Sequence, residues 1–558
     1  MKSEFQKIIS QLVLKHFGEE ADIKLEIPDE KFGDYSTNIA MQLAGKLQKN
    51  PREIAETLIP ILKDSLGDRV EDITIAGAGF INIKLSDKAL LDSLQAPSER
   101  LYSGQTIVTE YSDPNPFKVL HAGHLYTSVV GDAISNLLEN AGAKVHRVNF
   151  GGDVGLHVAK TMWAIIKKLD GEYPEKLSDI DESKRSEWMS ERYVEGNNAY
   201  EDNEQTKQEI TDLNKKIYAI HNDADKQSKL AQIYWTCRQW SYDYYDSFYA
   251  QLGTHFEKYY PESAVSGLGL ETVNKHLGNV YEKSDGAIIF NGEKYGLHTR
   301  VFINSQGLPT YEAKDVGLIM QKYTDYKFDQ SIVITANEID QYMQVVLKSI
   351  EQFEPELVKK TKHLTHGMVK LQGGEKMSSR KGNILKATDV LDAATQASKQ
   401  VHGHESAETV LGAIKYSFLK HRTGGDIIYD PQESVSLEGN SGPYLQYAHA
   451  RAKSILRKAG EQSMSNDYSV DKLEGLERSL ARKISEFPEV VLEATTDLMP
   501  HHICNYLYEL AQNFNRFYEN SQVIGNERQA LRLNLVKVYS NVLSSGLMLL
   551  GISAPDKM

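Results

Sequence analysis

From Val130 the apolar residues fall at Val130, Ala133, Ile134, Leu137 and Leu138, one face of a helix with 3.6 residues per turn, and Gly142 marks its expected end. The spacing differs on either side. Ile107 and Val108 upstream and the run Val145 to Phe150 downstream are apolar blocks of strand length, and Asp113-Pro114-Asn115-Pro116 is turn-forming. The stretch therefore reads as strand, turn, helix, strand. A right-handed crossover of this kind places the loop after the first strand at the carboxyl edge of a parallel sheet, where open α/β sheets bind ligands.

Residues 1–98 read as a separate small α/β unit. Asn50 and Pro51 form a helix start, followed by the apolar face Ile54, Leu58, Ile61 and Leu62, and the block from Ile73 to Ile83 alternates like a strand with glycines at its bend. The pattern changes after Pro97-Ser98-Glu99. Residues 99–397 form the main α/β domain, interrupted over about 170–300 by charged, tyrosine-rich helical stretches and a hairpin-like region, Gly286 to Phe302, read as an insertion. Alternation resumes with a helix near Tyr311, the buried strand Ile332-Val333-Ile334 and a helix from about Gln341 to Phe353. Helical periods dominate residues 398–558, predicting an all-α bundle.

Composition narrows the class. A chain of 558 residues with 41% hydrophobic content implies two or more globular domains. No run of about 18 apolar residues is present, and Met1 to Lys7 begins like an amphipathic helix rather than a signal peptide, so a cytoplasmic protein without a membrane span is expected. The net charge of −14 argues against indiscriminate coating of nucleic acid but leaves room for a shaped RNA partner. Cys237 and Cys504 are the only cysteines, which excludes a disulfide framework and a Cys-x-x-Cys zinc site. The pairs His402-Gly403-His404 and His501-His502 lack a third spaced ligand, so no metal ligands are assigned and no zinc is expected.

Two short runs carry the chemistry. His121-Ala122-Gly123-His124 stands at the start of the predicted helix, where imidazoles, free N–H groups and the helix dipole favour phosphate, and Gly123 leaves the backbone open to a nucleotide. Lys376-Met377-Ser378-Ser379-Arg380-Lys381-Gly382-Asn383, preceded by Gly373 and Gly374, is a basic loop suited to neutralising departing pyrophosphate. The bland reading of the first is a pair of helix caps, and of the second a solvated loop. The two resemble the HIGH and KMSKS motifs of class I aminoacyl-tRNA synthetases. They predict an ATP site made of Lys118, His121, Gly123, His124, Lys376, Ser378, Ser379, Arg380 and Lys381, with His121, His124, Lys376 and Lys381 as the catalytic set and ATP bound with Mg²⁺.

A narrower resemblance follows from Asp113-Pro114-Asn115, Tyr311-Glu312-Ala313-Lys314-Asp315, and the long run Gly442-Pro443-Tyr444-Leu445-Gln446-Tyr447-Ala448-His449-Ala450-Arg451. Together with Phe32-Gly33-Asp34-Tyr35-Ser36-Thr37-Asn38 near the N-terminus, these are similar to the arginyl-tRNA synthetase family. The resemblance implies a Rossmann-like parallel-sheet catalytic domain (99–397), an N-terminal tRNA-binding domain (1–98) and a C-terminal helical anticodon-binding domain (398–558). It further implies that L-arginine, ATP and tRNA(Arg) are the partners, in a monomer, and that tRNA binds before efficient adenylate formation. Asp315 would pair with the guanidinium and Tyr311 order it, while Asn115, His124 and Asp113 take the α-amino acid end. Glu110 is a second acidic candidate, and Tyr444, Tyr447 and Arg451 are the tRNA candidates. A carboxylate and a hydroxyl four residues apart on one helix face suit a forked cation. One departure stands out: Ile339 occupies the position where many relatives have an arginine-binding glutamine, with Gln341 or Gln344 as substitutes. Activation of a different amino acid and an inactive tRNA-binding relative are the competing readings.

Overall fold

Ile107, Val108, Val148, Ile332, Val333 and Ile334 are all buried in one sheet, as strands covered by helices on both faces must be. The structure is a computed structural model describing residues 1–94, 99–372, 385–403, 406–460 and 472–558. Its central sheet has five parallel strands: β1 (Thr106–Glu110), β2 (Lys144–Gly151), β3 (Lys258–Pro261), β4 (Gln330–Ala336) and β5 (Thr361–His366). Their spatial order is β5-β4-β1-β2-β3. The chain winds outward from β1 through β2 to β3, then returns to the other side of β1 for β4 and β5. The switch point between β1 and β4 is where a ligand crevice is expected, beyond the carboxyl ends of both strands.

Helices α1 (Ala122–Asn140), α2 (Leu156–Lys168) and α3 (Glu262–Lys275) follow β1, β2 and β3; α4 (Tyr311–Tyr326) enters β4 and α5 (Asp340–Glu351) leaves it. The crossing of α3 and α4 fixes where Tyr311 and Asp315 stand. A Cβ at Gly269 would lie 2.0 Å from the carbonyl oxygen of Ala313, and one at Gly317 would lie 2.3 Å from that of Val265. Backbone, not a movable side chain, is the obstacle. Gly269→Ala is therefore expected to destabilise the fold by about 1–3 kcal/mol through overpacking; an unchanged urea midpoint would show that the crossing has room.

Two expectations are corrected. The interruption placed at about 170–300 is narrower: Lys258–Pro261 pairs with β2 as an edge strand and α3 packs on the sheet, so residues 258–275 belong to the central layers. A four-residue edge strand is too short to show a period. Within the interruption lie helices Arg185–Asp202, Glu204–Asn222 and Lys229–Leu252, and the hairpin-like region is a three-stranded antiparallel sheet of Glu282–Ser284, Ala287–Phe290 and Arg300–Ile303. The division at 397–398 falls inside the continuous helix α6 (Ala387–His402), so helical structure begins at Ala387. It continues through α7 (Ala407–Leu419), α8 (Gly442–Ala459), α9 (Gly475–Ser485), α10 (Phe487–Asp497), α11 (His501–Asn520) and α12 (Gln529–Leu549). Phe514 and Phe517 are buried there, Phe514 stacking on Tyr539 at 3.9 Å.

The N-terminal unit carries the sheet Tyr35–Thr37, Val70–Ala76 and Phe80–Leu85, and Asn50 accepts the Arg52 N–H as a helix cap at 2.9 Å. It docks on the bundle through Asp34, paired with Arg478 at 2.8 Å. His502 of the second histidine pair lies 3.8 Å from Glu493 and 3.5 Å from Asp497, both exposed; His404 lies outside the described residues. Among the described residues no helix is long and apolar enough to cross a membrane.

Candidate active site

The loop from β1 to α1 is held in a strained shape. Ser112, Asp113 and Phe117 have φ of 74°, 48° and 69°, the left-handed region that L-residues avoid unless their surroundings impose it. The surroundings are specific. Ser112 Oγ meets the Tyr249 hydroxyl at 2.7 Å, the Tyr245 hydroxyl donates to the Asn115 carbonyl at 2.7 Å, and the Phe117 N–H donates to Ser241 Oγ at 2.9 Å. All three come from Lys229–Leu252, so the long interrupting helix braces the loop. From the other side, Asp113 accepts the Phe150 N–H at 2.8 Å and Asn115 Oδ1 accepts the Gly152 N–H at 3.1 Å. These two side chains build the loop; Asn115 Nδ2 has no partner among the described residues.

The loop delivers His121 as the N-cap of α1. Its Nδ1 accepts the N–H groups of Gly123 (3.1 Å) and His124 (3.4 Å), while His124 Nδ1 accepts the His121 N–H at 3.2 Å. The rings stack with centroids 3.7 Å apart. Both histidines thus act as caps, and the capping itself sets their chemistry. An accepting Nδ1 carries no proton, so each neutral ring presents Nε2–H as a donor. Burial, followed by Lys118 for His121 and by His121 and Lys118 for His124, pushes both imidazoles down, His121 to about 4 and His124 well below its usual value. They stay neutral at physiological pH. A Cβ on Gly123 would sit 2.8 Å from the His121 ring, so glycine is required for the cap as well as for access.

Beyond the carboxyl ends of β1 and β4 opens a cavity of about 520 Å³, lined among others by His121, Gly123, His124, Asn115, Asp113, Glu110, Tyr311, Asp315, Ile339 and Tyr342. Asp315 is buried, and its carboxylate accepts a hydrogen bond from the Tyr342 hydroxyl. Burial raises its pKa to about 8, opposed by the Tyr342 hydrogen bond and reinforced by Glu110. Enclosure and Glu110 likewise push the Asp113 carboxyl up. Tyr311 stands exposed at the mouth, its hydroxyl 3.3 Å from His157 Nδ1.

Not every expected residue is free for a ligand. Glu110 is ion-paired with Lys322 of α4, which has no exposed surface, so its charge is neutralised inside the protein. Lys118 lies outside the cavity lining; its ammonium rests 3.7 Å from the Tyr193 ring centre, and it acts on the histidines through its field. Gln341 and Gln344 are both exposed and neither lines the cavity, Gln344 bonding Asp340 at 2.9 Å. The side chain of α5 that reaches Asp315 is Tyr342, which sequence reasoning did not select. It also missed Glu262, ion-paired with Lys314, and Arg300, bonded to Glu312 at 3.2 Å; Glu262 and Arg300 line the same cavity. Glu262 and Lys314 lie 52 residues apart on different helices, and only the α3–α4 crossing makes them a pair.

Gly373, Gly374, Lys376, Ser378, Ser379, Arg380, Lys381 and Gly382 lie outside the described residues. The chain just after them is anchored at the site: Ala122 N–H donates to the Leu385 carbonyl at 2.8 Å and Ala387 N–H to the Leu120 carbonyl at 2.9 Å, an antiparallel clasp beside His121.

A second polar cavity, of about 660 Å³, opens in the bundle and is lined among others by Tyr447, Arg451, Arg457, Lys458, Tyr518 and Met558. Arg451 lies 4.9 Å from the Tyr447 ring centre and 5.9 Å from that of Tyr518, and bonds Asn515 at 3.3 Å; Asn515 in turn donates to the Tyr444 hydroxyl at 2.8 Å. Tyr447 and Tyr518 are the exposed rings of this group.

Residues 86–427 match the family model for the catalytic domain of class I tRNA synthetases (R), residues 445–558 that for the DALR anticodon binding domain, and residues 1–85 that for the arginyl tRNA synthetase N-terminal domain. The chain is 28% identical to the arginine–tRNA ligase of Phocaeicola vulgatus, across 96% of each chain, and 28% identical to that of Porphyromonas gingivalis, across 97% of this chain and 96% of the relative. Among solved structures, the arginyl-tRNA synthetase of Thermus thermophilus superposes over 100% of both chains with a TM-score of 0.80 and 26% identity. The methionyl-tRNA synthetase of Mycobacterium tuberculosis, in complex with methionyl-adenylate, shares the fold over 81% of this chain and 92% of its own, with a TM-score of 0.51 and 12% identity.

Proposed function

The chain belongs to the arginyl group of class I tRNA synthetases, and from that premise we propose how its cavity joins L-arginine to ATP and passes the arginyl group to the 3′ end of tRNA(Arg). The observation that carries this reading is a cavity with two unlike ends. One end holds a buried carboxylate fixed by a tyrosine hydroxyl; the other is a helix start that offers neutral imidazole donors. A cationic side chain fits the first and phosphates fit the second.

Arginine enters with its guanidinium on Asp315 and Tyr311 at the mouth. Its α-carboxylate lies toward Asn115 Nδ2 and His124. ATP lies over Gly123 at the start of α1, with His121 and His124 donating Nε2–H to phosphate oxygens, and Lys376, Ser378, Ser379, Arg380 and Lys381 supplying donors to the β- and γ-phosphates. A carboxylate oxygen of arginine attacks the α-phosphorus and pyrophosphate leaves with the electron pair. The ribose hydroxyl at the tRNA 3′ end then attacks the carbonyl carbon of arginyl-adenylate, and AMP departs. Mg²⁺ arrives as part of MgATP: Glu110 and Glu262 are each tied to a lysine, so these cavity carboxylates are not free as metal ligands. Tyr447 and Arg451 at the bundle cavity suit an unstacked base and its phosphate, with Tyr444 behind them, bonded to the Asn515 that holds Arg451. The enzyme acts as a cytosolic monomer.

Asp315 makes the arginine step pH-dependent. With a pKa of about 8 in the free cavity, it holds a proton at lower pH that must leave before a guanidinium can pair. The value of kcat/KM for arginine is expected to rise about tenfold per unit below pH 8 and level off above it; a flat profile from pH 6.5 to 8.5 would mean the carboxylate is already ionised. The reading as a whole is tested by ATP–pyrophosphate exchange across an amino-acid panel, with and without tRNA. Exchange with arginine that depends on tRNA supports it, exchange equally fast without tRNA removes only the coupling, and exchange with a neutral amino acid overturns it.

A further inference from the structure

Tyr342 lies on the first turn of α5, on the wall of the cavity that also carries Ile339 and Met343. Its ring is held at two points. The hydroxyl bonds Asp315 Oδ2, and the Arg300 guanidinium lies 5.3 Å from the ring centre, itself fixed by Glu312 at 3.2 Å. Ile339 has no side-chain donor or acceptor to offer.

A phenol has one proton and two lone pairs. Because the Tyr342 proton goes to Asp315, its oxygen can only accept from anything else in the cavity. We propose that Tyr342 is a positioning and specificity residue for arginine: with Asp315 it forms a pair of adjacent acceptors matched to two N–H groups of a guanidinium. This rests on the assignment of Asp315 to the guanidinium. The pair distinguishes arginine from citrulline, its neutral isostere, because the ureido oxygen of citrulline would face an acceptor where arginine places an N–H. Unpaired acceptors facing each other in a buried site are strongly unfavourable. Among the described residues, the other charged groups facing Asp315 include Glu110 of β1, paired with Lys322 of α4; Glu262 of α3, paired with Lys314; Asp113 of the β1–α1 loop; and, on the cavity wall, Arg300 and Glu338. Tyr342 is the neutral donor among them, so its removal should make the Asp315 carboxyl hold its proton to higher pH.

The test compares Tyr342→Phe, which keeps the ring, with Asp315→Asn in the full-length enzyme with tRNA. In Tyr342→Phe the KM for arginine is expected to rise about 10- to 100-fold with kcat and the KM for ATP within about threefold. Preference for arginine over citrulline, read as the ratio of citrulline inhibition constant to arginine KM, should fall, and the midpoint of the pH profile should move upward. Arginine kinetics unchanged in Asp315→Asn would remove the premise. Loss in Asp315→Asn together with an unaltered KM, citrulline ratio and pH midpoint in Tyr342→Phe would overturn the role of Tyr342 alone. An equal fall in kcat and in ATP binding, with a lowered melting temperature, would assign Tyr342 to structure and also overturn it.

Discussion

Asp315→Ala is expected to lower kcat/KM for arginine by about 2–5 kcal/mol of transition-state stabilisation while leaving the KM for ATP within about twofold. Asp315 is buried, so a guanidinium that enters is stripped of water and must find its counter-charge there. Two nearby acids cannot substitute. Glu110 and Glu262 are each committed to a lysine, and pulling either free would leave that lysine unpaired in the interior. ATP occupies the other end of the cavity, which is why its binding should be spared. Arginine and ATP kinetics measured separately decide the matter: an unchanged specificity constant for arginine would remove Asp315 from the site, and a parallel loss of ATP affinity would indicate collapse of the cavity.

His124→Ala is expected to reduce turnover by about 10²- to 10³-fold, as removal of one donor from a developing oxyanion does. The histidine also caps α1, so a frayed helix start would contribute to the loss as well. His124→Asn separates the two effects, because an amide oxygen can accept the His121 N–H without reproducing the imidazole Nε2–H. If charge stabilisation dominates, both variants are slow; if capping dominates, asparagine restores most of the turnover. Near-normal single-turnover adenylate formation in both would leave His124 a structural cap only.

The fold was legible wherever periodicity was long. The helix after β1 could be read from i, i+3, i+4 spacing because that information is local, whereas spacing put Tyr311 and Asp315 on one helix face and only the family resemblance assigned them to arginine. Contacts between distant segments could not. Tyr342 meets Asp315 across 27 residues, Lys314 meets Glu262 across 52, and Lys322 meets Glu110 across 212. No local pattern signals such pairings. Thus Glu110 looked available, although the sheet and α4 close on it, and Lys118 looked like a phosphate ligand although Tyr193 holds it outside the cavity lining. The strain at Ser112, Asp113 and Phe117 was likewise invisible, since it is imposed by side chains of the interrupting helix, with Tyr249 137 residues from Ser112 and Tyr245 130 residues from Asn115. The interrupting helix therefore does more than fill space, because it holds the loop that presents the histidines.

The most direct test of the central claim is charging of total tRNA by the purified protein, with each radiolabelled amino acid offered separately in the presence of MgATP. Arginine alone is expected to appear on tRNA, at a rate that falls steeply in Asp315→Ala. Charging with another amino acid would keep the nucleotide chemistry but contradict the assignment of Asp315, and no charging with any of them would contradict the enzyme itself.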